Sequence, residues 1–352
     1  MTRIDEAGAD VLDGKALVIH AARDLRLTPI STAAPGAGEI RVRLAWGGLC
    51  GSDLHYFLHG GVGASVLREP MVLGHEVSGT IDRLGPGVEG FRIGQDVAIH
   101  PAQPCGVCPE CQRGLRHLCR STRFFGSAAF LPHTDGGFRT SMIVRADQVR
   151  ALPPGLDARR AALAEPLAVA LHAIARAGDV RGRSVLVQGV GPIGALVVAG
   201  LSDHGAGRIV ATDLQDFALS LASQLGAHAT WNAREEAPEE EFDVVFEVTG
   251  VAAALPNAVA RTRRGGILVQ VGMFPPGLVE TPLAQIISRE IDFRGTLRFD
   301  TEFDDALRLL AKRPEIADIL VTHQLALDDY QDAFAIGTDR SRAAKVLLDL
   351  NA

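Results

Sequence analysis

Ser184-Val-Leu-Val-Gln-Gly-Val-Gly-Pro-Ile-Gly194 is the stretch that decides the architecture of this 352-residue chain. Its valine-rich first half reads as a buried strand, and Gly189-x-Gly191-x-x-Gly194 follows directly. The apolar run from Ile193 to Leu201 then opens a helix. Glycines here permit the tight turn and let a pyrophosphate approach the helix N-terminus. Gly189, Gly191, Pro192, Ile193 and Gly194 are therefore expected to cradle a dinucleotide.

Downstream, strands and helices alternate. Arg208 to Thr212 reads as a strand, Phe217 to Leu225 as a helix stopped by Gly226, and Phe242 to Val248 and Gly266 to Val271 as further strands. Such alternation predicts a doubly wound parallel sheet covered on both faces, an α/β fold. Asp213 ends the second strand, where a carboxylate accepts hydrogen bonds from an adenosine ribose. A 2′-phosphate would meet its charge, and no Arg or Lys follows closely, so NAD is expected over NADP. The strand ends Val248-Thr249-Gly250 and Val271-Gly272-Met273 are expected to border the nicotinamide.

Upstream, from Lys15 to about Arg150, short strands are broken by glycine and proline. Glu39 to Ala45, Val77 to Leu84 and Asp96 to Ile99 are examples, with a turn at Gly85-Pro-Gly87. Residues 160–177 are helical by composition, with Pro166 marking a break or a start. Residues 1–14 read as a loose polar extension and the run EEAPEEE at 235–241 as a solvated loop. Phe303 to Leu310 and Ala344 to Leu350 read as a helix and a strand that rejoin the first domain. The expected division is 15–160 plus 300–352 against 161–299.

Composition narrows the function. A net charge of −7 argues against non-specific nucleic-acid binding, and 47% hydrophobic residues exclude global disorder. No stretch has the length of a membrane span and the N-terminus has no secretory pattern, so a cytoplasmic location is expected. Clustered cysteines in that compartment are more often metal ligands than disulfides. Four of the five form Cys105-x2-Cys108-x2-Cys111-x7-Cys119, a set that can surround one zinc tetrahedrally and leave no open position. That site is structural.

Cys50 stands apart, in Gly47-Gly-Leu-Cys50-Gly-Ser-Asp-Leu-His-Tyr56, and His75 follows in Gly74-His75-Glu76. A catalytic zinc takes about three protein ligands and an open position. Cys50 and His75 supply two; either Glu76 or Glu165, in Ala164-Glu165-Pro-Leu-Ala168, can supply a carboxylate.

The pattern Gly74-His75-Glu76-x2-Gly79-x5-Gly85-x2-Val88 resembles the signature of zinc-dependent medium-chain alcohol dehydrogenases, and the likeness runs from Lys15 onward. It implies a mostly-β GroES-like catalytic domain beside a Rossmann domain, with two zinc ions per chain. Cys50-Gly-Ser-Asp53 and Glu165-Pro-Leu-Ala-Val169 resemble the polyol branch, the sorbitol dehydrogenases. That branch implies a shell of Cys50, His75 and one glutamate, Glu76 or Glu165, completed by water. Zinc would lower the pKa of the bound hydroxyl and prepare hydride loss. The resemblance also implies that Ser52 meets the alcohol oxygen and that Ser52, the cofactor ribose and His55 relay the proton. The competing expectation for His55 is a surface histidine, and for the pocket tyrosine Tyr56 ordinary packing.

Further stretches, including Arg123-Phe-Phe-Gly-Ser127 and Arg294-Gly-Thr-Leu-Arg-Phe299, resemble members that interconvert L-idonate and 5-keto-D-gluconate. A sugar-acid carboxylate calls for a nearby cation, Arg298 before Arg123, and the Phe124–Phe125 pair is expected to line one wall, with Phe125 touching substrate. Sorbitol, xylitol and L-threonine are the alternative substrates. A catalytically silent nicotinamide-binding protein is the alternative of another class, and it should have lost Cys50 or His75, which this chain keeps. The family forms dimers and tetramers, so a homo-oligomer is expected.

Overall fold

The computed structural model describes residues 2–4, 10–235 and 239–352. Ser184–Gln188 is a strand, and it sits inside a six-stranded sheet in which every neighbouring pair is parallel. From it the chain winds outward through Arg208–Asp213 to Ala229–Asn232, then crosses to Phe242–Glu247, Thr262–Gln270 and Asp292–Gly295 on the other side. The order therefore reverses between Ser184–Gln188 and Phe242–Glu247, and the carboxyl ends of these two strands flank the crevice where such sheets bind ligands. Val185, Leu186, Val187, Val244, Val245 and Phe246 are all buried, as residues of a sheet covered on both faces must be.

The mostly-β half is built on a seven-stranded sheet. Glu39–Gly48 lies near its middle between Glu76–Leu84 and Lys345–Asp349, so a strand from the end of the chain joins strands from its beginning. A second sheet pairs Asp10–Ala21 with Asp24–Thr32 and Met71–Val72, and the buried residues of both sheets share one core.

Two expectations change. The described part of the supposed N-terminal extension is a strand: Val11 and Leu12 are buried, and Leu12 to Lys15 pair with Thr32 to Pro29. An apolar pair in register with a partner strand outweighs the polar residues beside it. Residues 1 and 5–9 lie outside the described residues, as do 236–238 of the charge run, whose Glu241 pairs with Arg289 at 2.8 Å. The C-terminal segment, secondly, divides its allegiance. Val321–Ala326 and Lys345–Asp349 join the mostly-β sheet, whereas Phe303, Leu307, Leu310 and Ile316 pack into the core of the helix Ala164–Ala177 and the parallel sheet. Pro166 lies in the first turn of that helix, where a missing N–H costs nothing. Among the described residues no helix is long and apolar enough to cross a membrane.

Candidate active site

Cys50 immediately precedes the helix Gly51–His59, and Asp53 in its first turn is completely buried. The Asp53 carboxylate accepts the N–H of Cys50 at 3.0 Å and that of Gly74 at 3.1 Å, with His75 Nδ1 4.0 Å away. One side chain thus locks the Cys50 segment to the His75 segment. Gly74 has φ +93°, and a Cβ there would lie 2.3 Å from the Phe138 ring, so only glycine lets the chain turn into His75.

Ligand atoms of Cys50, His75 and Glu76 all lie within 4.8 Å of one another. Glu76 is held from behind: Lys345 Nζ reaches both of its carboxylate oxygens at 2.8 Å and donates to the Leu49 carbonyl at 3.1 Å. Burial opposes a charge on His75, but Cys50 and Asp53 outweigh it and hold the imidazole pKa well above its ordinary range. Such an excess of negative donors is what a divalent cation neutralises, and a thiolate, an imidazole and a carboxylate suit zinc.

Glu165 stands in the first turn of Ala164–Ala177, buried, outside that three-residue cluster. Burial pushes its carboxyl up to about 7; His75 opposes this, Glu76 adds to it, and Lys345 and Arg298 pull back. Arg298 takes a left-handed φ of 52°, and its guanidinium lies 4.3 Å from the centroid of the Phe124 ring. Burial lowers its pKa, against the attraction of Glu165 and Tyr56. Phe124 also faces His75, ring centroids 5.6 Å apart.

The other expected residues are placed unevenly. Ser52 is half-buried one turn-position after Gly51. His55 is on the exposed side of its helix, 5.7 Å from the His59 ring; burial, then His59 and Arg340, depress its pKa. Tyr56 is buried and its hydroxyl oxygen accepts the Ala128 N–H at 2.9 Å. Phe125 packs in the core of the mostly-β half, because alternate residues of an extended segment face opposite ways; the ring against Arg298 is that of Phe124. Arg123 is committed elsewhere, to the Pro132 carbonyl and over the Phe130 ring at 5.3 Å.

Cys105, Cys108, Cys111 and Cys119 converge, all four sulfur atoms within 4.8 Å of one another. The backbone N–H groups of Cys105 and Ser121 point at the Cys119 sulfur at 3.3 and 3.4 Å, as donors to a thiolate do.

At the crevice of the parallel sheet, a Cβ on Gly194 would lie 2.0 Å from the Gly189 carbonyl oxygen, and one on Gly189 would lie 2.7 Å from Thr249. Gly191 is different: no atom lies within 4 Å of a Cβ built there, so the space it leaves is open, as a cradle for a pyrophosphate has to be. Asp213 accepts N–H groups from Val190 at 2.8 Å and Gln215 at 3.0 Å, which fixes it against the glycine turn. Gly250 and Gly272 pack backbone to backbone, bringing Thr249, Val271, Gly272 and Met273 to the same edge. These features fit a dinucleotide.

Two residues that shape the candidate metal cluster, Asp53 and Lys345, are given no role by the sequence reading. The hints were a carboxylate three residues after Cys50 and a lone lysine in the otherwise apolar run Ala343 to Leu348.

Comparison with known proteins agrees with this geometry. The alcohol dehydrogenase GroES-like domain matches residues 36–154 and the zinc-binding dehydrogenase domain residues 192–312. L-idonate 5-dehydrogenase (NAD(P)(+)) of Escherichia coli is 39% identical over 87% of this chain and 90% of its own. Sorbitol dehydrogenase of Bacillus subtilis is 36% identical over 91% and 92%. The crystal structure of the Escherichia coli L-idonate 5-dehydrogenase superposes with a TM-score of 0.92 over 97% of this chain and 99% of that one, at 36% identity. With both domains matched and relatives of this identity spanning nearly its full length, the chain belongs to the zinc-dependent, NAD(P)-binding medium-chain alcohol dehydrogenases.

Proposed function

We propose that this enzyme oxidises a secondary hydroxyl of a sugar acid, with L-idonate and 5-keto-D-gluconate as the leading pair. The reading has Cys50, His75 and Glu76 holding a catalytic zinc, the four clustered cysteines holding a structural one, and NAD in preference to NADP. Zinc supplies a Lewis acid that acidifies the substrate hydroxyl. NAD supplies the hydride acceptor. A relay from Ser52 through the cofactor ribose to His55, on the exposed side of its helix, would carry the hydroxyl proton to solvent, each group releasing one proton as it gains one. Glu165 lies outside the three-residue cluster, and burial pushes its carboxyl up, so it serves in this reading as a proton-exchanging group rather than as a ligand. A homo-oligomer, dimer or tetramer, is the expected assembly.

The observation that carries the substrate class is Arg298, a half-buried guanidinium stacked on Phe124, whose ring in turn faces His75. A cation in that position suits a carboxylate. A second reading, an uncharged polyol, is favoured by Glu165, which already attracts Arg298 from within the protein. Initial rates on L-idonate, 5-ketogluconate, sorbitol, xylitol and L-threonine, with NAD and with NADP, separate the two. L-idonate turnover that collapses in Arg298→Gln while polyol turnover persists supports the sugar acid. Brisk sorbitol oxidation with no L-idonate activity overturns it and leaves the class intact.

A further inference from the structure

The parallel sheet ends at the crevice in a row of three polar side chains. Gln188, Glu247 and Gln270 occupy the last positions of three adjacent strands, and the register pairs Gln188 with Glu247 and Glu247 with Gln270. Glu247 is 0% exposed. Its oxygens accept the Thr249 N–H at 2.8 Å, the Thr249 hydroxyl, the Gly250 N–H at 3.4 Å and the Gln270 amide. Every one of these donors is neutral, and among the described residues no cationic side chain pairs with Glu247.

The two glutamines share the imbalance. Gln188 donates its amide to the Ala254 carbonyl at 2.8 Å, and Gln270 donates to Glu247 and to the Gly272 carbonyl at 2.8 Å. Both amide oxygens are buried without a hydrogen-bond partner. One whole negative charge and two unpaired carbonyl dipoles thus lie side by side at the switch point of the sheet. A buried charge is costly unless something compensates it, and unpaired buried acceptors call for an explanation. Loop pinning accounts for part of this, since Thr249 is held by one carboxylate oxygen and Gly250 and Gln270 by the other, as a single amide oxygen could not do; it leaves the two unpaired glutamine oxygens unexplained.

We propose that Glu247, with the free amide oxygens of Gln188 and Gln270, is the electrostatic counterpart of the cationic ring of oxidised nicotinamide and biases the crevice toward NAD+ over NADH. The proposal rests on the nicotinamide being bordered by Thr249, Gly250 and Gly272, the residues Glu247 organises. Oxidised and reduced cofactor differ by one charge on that ring, so a buried anion nearby discriminates between them. Glu247 is a positioning and tuning residue; it transfers no proton and touches no reacting atom in this scheme.

The test compares dissociation constants for NAD+ and NADH on the zinc-loaded full-length protein, wild type against Glu247→Gln, by titration calorimetry at one pH and ionic strength. The NAD+ constant should rise severalfold more than the NADH constant, because a buried anion attracts only the oxidised, cationic ring. If Glu247→Gln does not fold, Glu247→Asp withdraws the charge by one methylene and should move the ratio the same way by less. Equal losses for both cofactors, or no loss, overturn the proposal. Failure of the underlying reading would look different: wild type would bind neither form.

Discussion

Lys345→Met keeps the length of a buried stem and deletes a single charge. The Lys345 and Glu76 side chains are 2% and 0% exposed, and the ammonium lies 2.8 Å from both carboxylate oxygens. At that distance and an effective dielectric of about 20, the attraction is about 6 kcal/mol before desolvation is counted. Breaking a buried pair by removing one partner typically costs about 3–5 kcal/mol, since the remaining charge is stranded. Here the stranded group would be a metal ligand, so a bound cation would compensate part of the loss. Urea unfolding of metal-chelated protein should therefore show the full penalty, about 3–5 kcal/mol, and zinc-loaded protein a smaller one. Adding Glu76→Gln to Lys345→Met should recover much of the chelated protein's loss, because a neutral amide is cheaper to bury than an unpaired carboxylate. Burial works against the charge on Lys345, but Glu76 overcomes it and the pKa is raised. A raised lysine stabilises fully below its ordinary value of about 10.4 and ceases to only as pH climbs through the folded value, so the penalty should be constant between neutral pH and about pH 9. A chelated Lys345→Met within about 1 kcal/mol of wild type, or a double variant no more stable than the single, would refute this account of the cluster.

Other perturbations separate folding from binding. Gly191→Ala should unfold at the wild-type temperature yet lose NAD affinity about tenfold or more, because its methyl enters open space meant for ligand; Gly194→Ala, 2.0 Å from the Gly189 carbonyl, should lose both, checked by thermal melts and NADH fluorescence titration. Asp53→Asn presents an N–H2 to one of two backbone donors, so it should cost about 1–3 kcal/mol and release catalytic zinc to a chelator about 10–100-fold faster, measured by competition with a chromogenic chelator. Cys111→Ser should lower the metal content of purified protein by one ion per chain by mass spectrometry of the metal, and lower the melting temperature, while Cys50→Ser removes the other ion and leaves the four-cysteine lobe loaded.

The parallel sheet was legible because its strands are buried on both faces. Ser184–Gln188 and Arg208–Asp213 carry the uninterrupted apolar runs 185–187 and 209–211, the first followed by Gly189 and the second preceded by Gly207, and such runs leave few alternatives. The hairpin of Asp10–Ala21 and Asp24–Thr32 was less legible: Asp13, Lys15, Arg26 and Thr28 interrupt the pattern, and what makes these residues strands is pairing with each other. The helix Glu302–Lys312 could be seen, but not its destination. An amphipathic face says that something covers it, not whether that is the sheet it returns to or the helix Ala164–Ala177. The two candidate ligand clusters were legible by donor type and spacing. Choosing between Glu76 and Glu165 was not, because the difference lies in Lys345, 269 residues away in sequence, and in which carboxylate reaches Cys50 and His75.

Charge links the two halves of the proposed site. Around the metal cluster stand Cys50, Glu76 and Asp53, faced by Lys345 and Arg298. A divalent ion added to that set leaves a surplus of positive charge, which suits an anionic substrate and a hydroxyl that is losing its proton. The same surplus works against a cationic nicotinamide brought close to it. Glu165 can trim the surplus only when ionised, and burial works against its charge. Glu247 is a buried carboxylate supplied by the parallel sheet, independent of the ligand cluster. On this argument, deleting it should harm NAD+ binding more in zinc-loaded than in zinc-depleted protein, since the repulsion it offsets comes from the loaded cluster.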